Sequence, residues 1–224
     1  MGHRGRPLHR RRRGRAAGEP LVAARFIALE GIDGSGKSTQ AARLEDALAA
    51  RGIAVVRTRE PGGTELGERV RDILLAGEPG AMSLIAEAHL FAAARAELVQ
   101  RVILPALAQG RWVVSDRFLD SSLAYQGVAR ALGIDAVLEI NRAAVDDCLP
   151  SLSLVIDTPA AVTAQRRCAT PDRIEAEGDG FQDRVAAGYR ALAERFPERV
   201  RLIPGDGDVD QVHARVMDAV EPLL

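Results

Sequence analysis

The sequence predicts an α/β fold: a five-stranded parallel sheet with helices on both faces. Three observations predict it. The stretch GIDGSGKST, residues 31–39, follows the apolar run Phe26-Ile27-Ala28-Leu29 and precedes Ala41, Leu44, Ala47 and Leu48 at helical spacing. Five short runs rich in branched apolar residues recur along the chain, as strands buried on both faces require. Helical patterns separate them, which is the signature of parallel strands joined by crossovers.

Taken in order, the strand candidates are 25–30, 53–58, 111–115, 152–157 and 200–203. Helical patterns run near 37–51, 64–76, 82–108, 133–147, 159–167, 181–195 and 208–220. At 224 residues and 47% hydrophobic composition the chain buries a full core and fits one domain, residues 25–224, better than two. In a doubly wound sheet ligands sit at the carboxyl ends of the strands, so the residues after each strand carry the chemistry.

After the first strand, the spacing Gly31-x-x-x-x-Gly36-Lys37-Ser38 fits a phosphate-binding loop. Gly31, Gly34 and Gly36 let backbone N–H groups approach an anion, and the following helix adds its positive end. Residues Gly31, Ile32, Asp33, Gly34, Ser35, Gly36, Lys37, Ser38 and Thr39 are therefore the expected ATP phosphate site. Lys37 reaches the outer phosphates, and the Ser38 hydroxyl is placed to ligate the magnesium that accompanies ATP. Of the 30 Lys+Arg residues, 29 are arginine and Lys37 is the one lysine. A compact ammonium is evidently needed there where a planar guanidinium will not serve.

Composition excludes several classes. A guanine-reading Asn-Lys-x-Asp motif needs a second lysine, which the chain lacks. No strand ends in the paired Asp-Glu of a mechanical ATPase, and the His-Arg-Asp set of a protein kinase is absent. No apolar run approaches the ~20 residues that span a bilayer. Cys148 and Cys168 form no CxxC pair and no signal-peptide core precedes them, so neither a disulfide framework nor a zinc site is expected, and a reducing cytoplasm is. Charge is uneven: residues 1–25 hold eight Arg against Glu19, a net of +7, leaving 22 Lys+Arg against 30 acids, or −8. An Arg-rich arm could serve a nucleic acid, a membrane surface or import. With no apolar periodicity and no aromatics, residues 1–24 read instead as a disordered basic extension, with neither nucleic acid nor membrane as partner.

After the second candidate strand stands Glu60-Pro61-Gly62-Gly63-Thr64. After the third stand Asp116-Arg117-Phe118 and Ser121-Ser122-Leu123-Ala124-Tyr125-Gln126-Gly127. A turn and a helix cap at Thr64 would explain the first and a solvated ion pair the second, but both fall on one sheet edge beside the phosphate loop. A small phosphotransferase is what remains.

On EPGGT, DRF, SSLAYQG and the later DRIE, the chain from about residue 25 onward resembles the thymidylate kinase family, whose members phosphorylate dTMP to dTDP with magnesium–ATP for dTTP synthesis in DNA replication. The resemblance implies a P-loop nucleoside monophosphate kinase fold with a short lid near 165–180, a separate monophosphate pocket and a cytoplasmic homodimer. Phe91 would stack on the thymine and Arg95 would donate to its edge. Ser122 and Gln126 would contact the base, Tyr125 would pack where a ribose 2′-hydroxyl would go, Ser121 would also bind dTMP, and Glu60 and Pro61 would flank the acceptor. Arg117 would hold the acceptor phosphate, with Asp33 and Asp116 near the reacting phosphoryl and its magnesium. Where some members carry an arginine inside the loop this chain has Gly34, so it is similar to the bacterial subtype whose lid supplies that charge. Of Arg166, Arg167 and Arg173, the expected catalytic pair is Arg166 and Arg173, with Glu175 directed at the acceptor or its metal. Two alternatives stand beside this reading: a kinase for another nucleoside monophosphate or a nucleoside, and a P-loop module that only senses nucleotide.

Overall fold

In the computed structural model, residues 24–159, 162–163, 166 and 171–224 are described. The basic extension as far as residue 23, and Arg167 and Cys168 of the expected lid, lie outside them. Five parallel strands form one sheet in the order β2-β3-β1-β4-β5, comprising β1 Phe26–Glu30, β2 Val55–Arg59, β3 Trp112–Asp116, β4 Leu152–Asp157 and β5 Val200–Pro204. The central strand, β1, is buried along its whole length. Its side chains alternate between two cores: Phe26 and Ala28 join Val113, Phe118 and Tyr189 on one face, while Ile27 and Leu29 join Leu44, Leu48 and Trp112 on the other. Burial on both faces is why the run FIAL shows no polar alternation.

The second core is closed by α1 Lys37–Ala50 and α8 Val209–Val220, whose first turn is fixed by a capping box between Asp208 and Gln211. The opposite face carries α3 Leu84–Leu98, α6 Ile134–Val145 and α7 Asp179–Arg195. Outside α3 lies α2 Glu65–Leu75, whose N-terminus is capped by the Thr64 hydroxyl accepting from Gly67 N at 2.9 Å.

The helical pattern at 82–108 is resolved into α3, a wider π turn at Val99–Ile103, and α4 Leu104–Ala108. Pro105 explains the break, because it has no N–H to continue the α ladder and its ring crowds the preceding turn. The segment after β3 departs further from expectation. It is helical, as α5 Leu119–Ser122 and a π turn Leu123–Ala129, and this places Ser121, Ser122, Tyr125 and Gln126 on one winding beneath the sheet edge. Of the helix expected at 159–167, residues 162–163 are helical and most of the remainder lies outside the described residues.

Candidate active site

β1 delivers the chain into the loop, where Gly31, Gly34 and Gly36 adopt φ of 137°, 81° and 97°. These angles are left-handed, so a Cβ would be strained at each. At Gly34 a Cβ would also lie 2.8 Å from the Thr163 carbonyl oxygen and 3.5 Å from Arg166 Cβ. The chain after β4 therefore packs directly on the loop, the Thr163 carbonyl closing the space beside Gly34 with Arg166 in van der Waals contact next to it. A cavity of about 1170 Å³ opens here, lined by residues 34–39, Arg166, Asp208 and Val209 among others. Gly31 and Ile32, expected there, do not line it: Ile32 is buried, and its carbonyl accepts from Lys37 Nζ at 2.8 Å. Burial, then the nearby Arg117, pushes the Lys37 ammonium down to about 8.

A second cleft, about 510 Å³, lies between the ends of β2 and β3, α2, α3 and the π turn. Glu60, Pro61, Phe91, Arg117, Ser121, Ser122, Tyr125 and Gln126 all line it, as does Asp33 from the phosphate loop. Arg117 has the left-handed φ of 71°, rare for a long side chain. Its Nη1 donates to Gly31 O at 2.9 Å and Ser121 Oγ at 3.2 Å, while its Nη2 donates to Asp33 and to Tyr125 OH at 3.2 Å. The guanidinium also lies 5.1 Å from the centroid of the Tyr125 ring. Burial favours the neutral Asp33 carboxyl, but Arg117 and Lys37 outweigh it and hold Asp33 at about 2. Asp33 is thus the anionic seam between two cationic sites.

At the edge of the phosphate loop the Ser38 hydroxyl donates to Asp116 Oδ2 at 2.5 Å. Two hard oxygens so close suit magnesium, which takes one or two protein oxygens and fills its shell with phosphate and water. Among the described residues no group of three or more His, Cys, Asp or Glu forms a self-sufficient metal cage.

Three expected site residues stand elsewhere. Arg95 is buried behind the cleft rather than on its wall, with Nε and Nη2 donating to Glu60 Oε2 at 2.9 and 2.5 Å, Nη1 to Asn141, and Nη2 also to Ser122 Oγ at 3.1 Å. Buried Glu60 requires a counter-charge, and Arg95 supplies it from one turn beyond Phe91. Arg173 does not face the phosphate loop: it is 2% exposed, donates from Nε to Leu74 O at 2.8 Å, and pairs with buried Glu87 at 2.7 Å. The same demand for charge compensation draws it toward α3. Glu175 does not line the second cleft, and its carboxylate accepts from Asp172 N at 3.3 Å.

Two residues were missed. Arg71 lines the cleft and donates to Pro61 O at 3.1 Å. Its place seven residues after Thr64, two helical turns along the same face, was the available signal. Glu30 is wholly buried at the end of β1, where a carboxylate closing an apolar strand is itself anomalous.

A family model described as thymidylate kinase matches residues 29–216. A thymidylate kinase from Rhizorhabdus wittichii is 47% identical over 207 residues, 91% of this chain and 100% of that protein. One from Pelotomaculum thermopropionicum is 47% identical over 206 residues, 91% of this chain and 95% of that protein. The crystal structure of thymidylate kinase from Ehrlichia chaffeensis aligns with a TM-score of 0.72 at 32% identity, covering 88% of this chain and 99% of that one.

Proposed function

This chain belongs to the thymidylate kinase family and phosphorylates dTMP to dTDP with ATP, supplying DNA synthesis; from that premise we propose how its residues divide the work. ATP enters the larger cavity, where the backbone of residues 34–39 cradles its phosphates and Lys37 accompanies the transferring group. The acceptor dTMP enters the cleft, with its base against Phe91, Ser122 and Gln126, and its phosphate between Arg117 and Arg71. Arg95 acts one layer behind, keeping Glu60 and Ser122 in place.

The observation that carries this division is the Asp33–Arg117 pair, which belongs to the phosphate loop on one side and to the acceptor cleft on the other. Transfer between two phosphates is catalysed mainly by alignment and by neutralising charge on the transferring group. Asp33 fixes Arg117, Lys37 covers the donor side, and Arg166 adds positive charge over the loop at Gly34. Ser38 and Asp116 would hold magnesium, which supplies charge neutralisation and orientation of the ATP phosphates when bound. A homodimer in the cytoplasm is the remaining part of the proposal. It is supported by the family resemblance and by the exposed apolar side chains of α2 and α3: Leu66, Ile73, Leu84 and Ile85.

The reaction is tested by ADP release with magnesium–ATP against dTMP, dUMP, UMP, dCMP, AMP, thymidine and no acceptor. Turnover is expected with dTMP well above the rest, and equal turnover without acceptor overturns the acceptor site. Arg166→Ala is expected to lower kcat about 10²-fold or more with the KM for dTMP little changed. Wild-type turnover in that variant moves the catalytic charge elsewhere.

A further inference from the structure

We infer that Glu30 is a positioning residue for the acceptor phosphate: through the hydroxyls of Ser121 and Tyr189 it sets the orientation of the Arg117 guanidinium. The inference rests on the reading of Arg117 as the residue that holds the dTMP phosphate. Glu30 touches neither cavity. Its Oε1 accepts from Phe118 N at 2.8 Å, and its Oε2 accepts from Ser121 Oγ at 2.6 Å and Tyr189 OH at 2.9 Å. The two hydroxyls are 2.9 Å apart, and both face Arg117 Nη1, at 3.2 and 3.3 Å. With the carboxylate ionised, each hydroxyl can give its proton to Glu30 and turn a lone pair toward Arg117.

The arrangement depends on Glu30 being an acceptor only. A protonated carboxyl donates to one of the two hydroxyls and occupies a lone pair otherwise open to Arg117, while the displaced hydroxyl proton passes to the other hydroxyl, 2.9 Å away, and occupies a second. Arg117 has little else to hold this nitrogen: Gly31 O is its remaining acceptor, and its backbone sits in a left-handed conformation that favours no long side chain. The charged and titratable groups facing Glu30 are Asp120 from α5, Arg117 from the end of β3, Lys37 from α1 and Tyr189 from α7. Burial, then Asp120, raises the carboxyl to about 7 against the opposing pull of Ser121, Arg117 and the Phe118 N–H. Tyr189 is itself raised well above its usual range by burial, so its hydroxyl remains a donor.

The test is the KM for dTMP of the full chain, at saturating magnesium–ATP, from about pH 5.5 to 9 in wild type, Glu30→Gln and Tyr189→Phe. The glutamine amide carries a donor and so imitates the protonated carboxyl. Glu30→Gln is expected to raise the KM for dTMP about tenfold at about pH 8, with the KM for ATP within about twofold and kcat within about threefold. Its profile should lose the wild-type inflection near 7 and keep that of the substrate phosphate at about 6. Tyr189→Phe should shift KM in the same direction by less, and it carries the test if Glu30→Gln does not fold. A wild-type pH profile in both variants overturns the proposal. So does a parallel rise in the KM for dTMP and ATP together with a lowered Tm, which is what a merely structural role predicts. Arg117→Ala, assayed for binding of dTMP against thymidine, separates the two levels. Selective loss of dTMP supports the Arg117 reading and leaves the Glu30 proposal to stand or fall on its own variants, whereas equal loss of both ligands sinks both.

Discussion

The donor cavity and the acceptor cleft meet at Asp33 but are built by opposite means. On the proposed reading the donor side is built mainly from one contiguous segment, in which a strand, a glycine turn and a helix start would present backbone to the phosphates, with Lys37 on the same segment and Arg166, Asp116 and the start of α8 added from elsewhere. The acceptor side is assembled from side chains just after β2 and β3 and on α2, α3, α5 and the π turn, and it is held by buried ion pairs, Arg95 with Glu60 and Arg173 with Glu87. Backbone sites tolerate substitution around them, while charge-paired sites do not, because deleting one partner strands the other without solvent. Side-chain deletions should therefore cost turnover on the donor side and folding on the acceptor side.

The largest effect should come from Lys37→Met. It removes the mobile charge but none of the backbone donors, so kcat should fall about 10²–10³-fold while the KM for dTMP stays within a few-fold. Steady-state kinetics of both substrates check this. A KM for dTMP that rose in step with the loss of kcat would break the comparison, because it would make Lys37 part of the acceptor site as well.

Arg173→Met tests the other side. It leaves Glu87 with Arg130, 3.2 Å away, as its remaining cation, and breaking a buried pair typically costs about 3–5 kcal/mol. For a chain of this length that lowers Tm by about 10 °C, read by thermal denaturation, with kcat per folded molecule close to wild type. A large fall in kcat at unchanged Tm would return Arg173 to the catalytic role that the DRIE motif suggests.

These two arginines also mark where the sequence stops being informative. The donor loop is legible because its chemistry is contiguous: spacing, flanking strand and following helix are all local. The strands and the double-sided burial of the sheet are nearly as legible, because an unbroken apolar run such as FIAL already says that both faces are covered, whereas the order in which the strands pair is not. What the sequence does not reveal is which way a guanidinium points. Arg95 lies one turn from Phe91, a spacing that suits joint contact with a base. Its direction is decided instead by Glu60, 35 positions away in the chain, and Arg173 is likewise claimed by Glu87. Arg71 and Glu30 were overlooked for the converse reason, since their roles arise when distant loops converge around them.

A smaller effect is expected at the seam. Asp33 has a folded value of about 2 against an ordinary 3.8, so it binds fewer protons folded than unfolded between those limits. Its contribution is fully present above about pH 4 and is lost as pH falls toward 2. About 1.8 pH units correspond to roughly 2 kcal/mol. Urea titrations of Asp33→Asn and wild type should therefore differ most near neutrality and converge as the pH is lowered through this window. A constant difference across that range would mean that Asp33 is not held down by Arg117 and Lys37, and that the seam carries no charge coupling between the two sites.

Removing residues 1–20 should have the smallest effect. The segment carries seven arginines and one glutamate, a net of +6, and leaves behind a body of net charge −7. Both substrates are anions, so losing the arginines should slow their approach slightly at low salt, and screening should erase the difference as ionic strength rises. The family match begins at residue 29, and the Rhizorhabdus wittichii enzyme is matched along 100% of its length by 91% of this chain. The chemistry described here draws on no residue before Phe26. Turnover and both KM values should thus agree with the full chain within about twofold at about 0.15 M salt. A tenfold loss that persisted at that ionic strength would mean the arm contributes contacts and not merely field, and the acceptor cleft, with its larger share of side-chain recognition, is where those contacts would have to be sought.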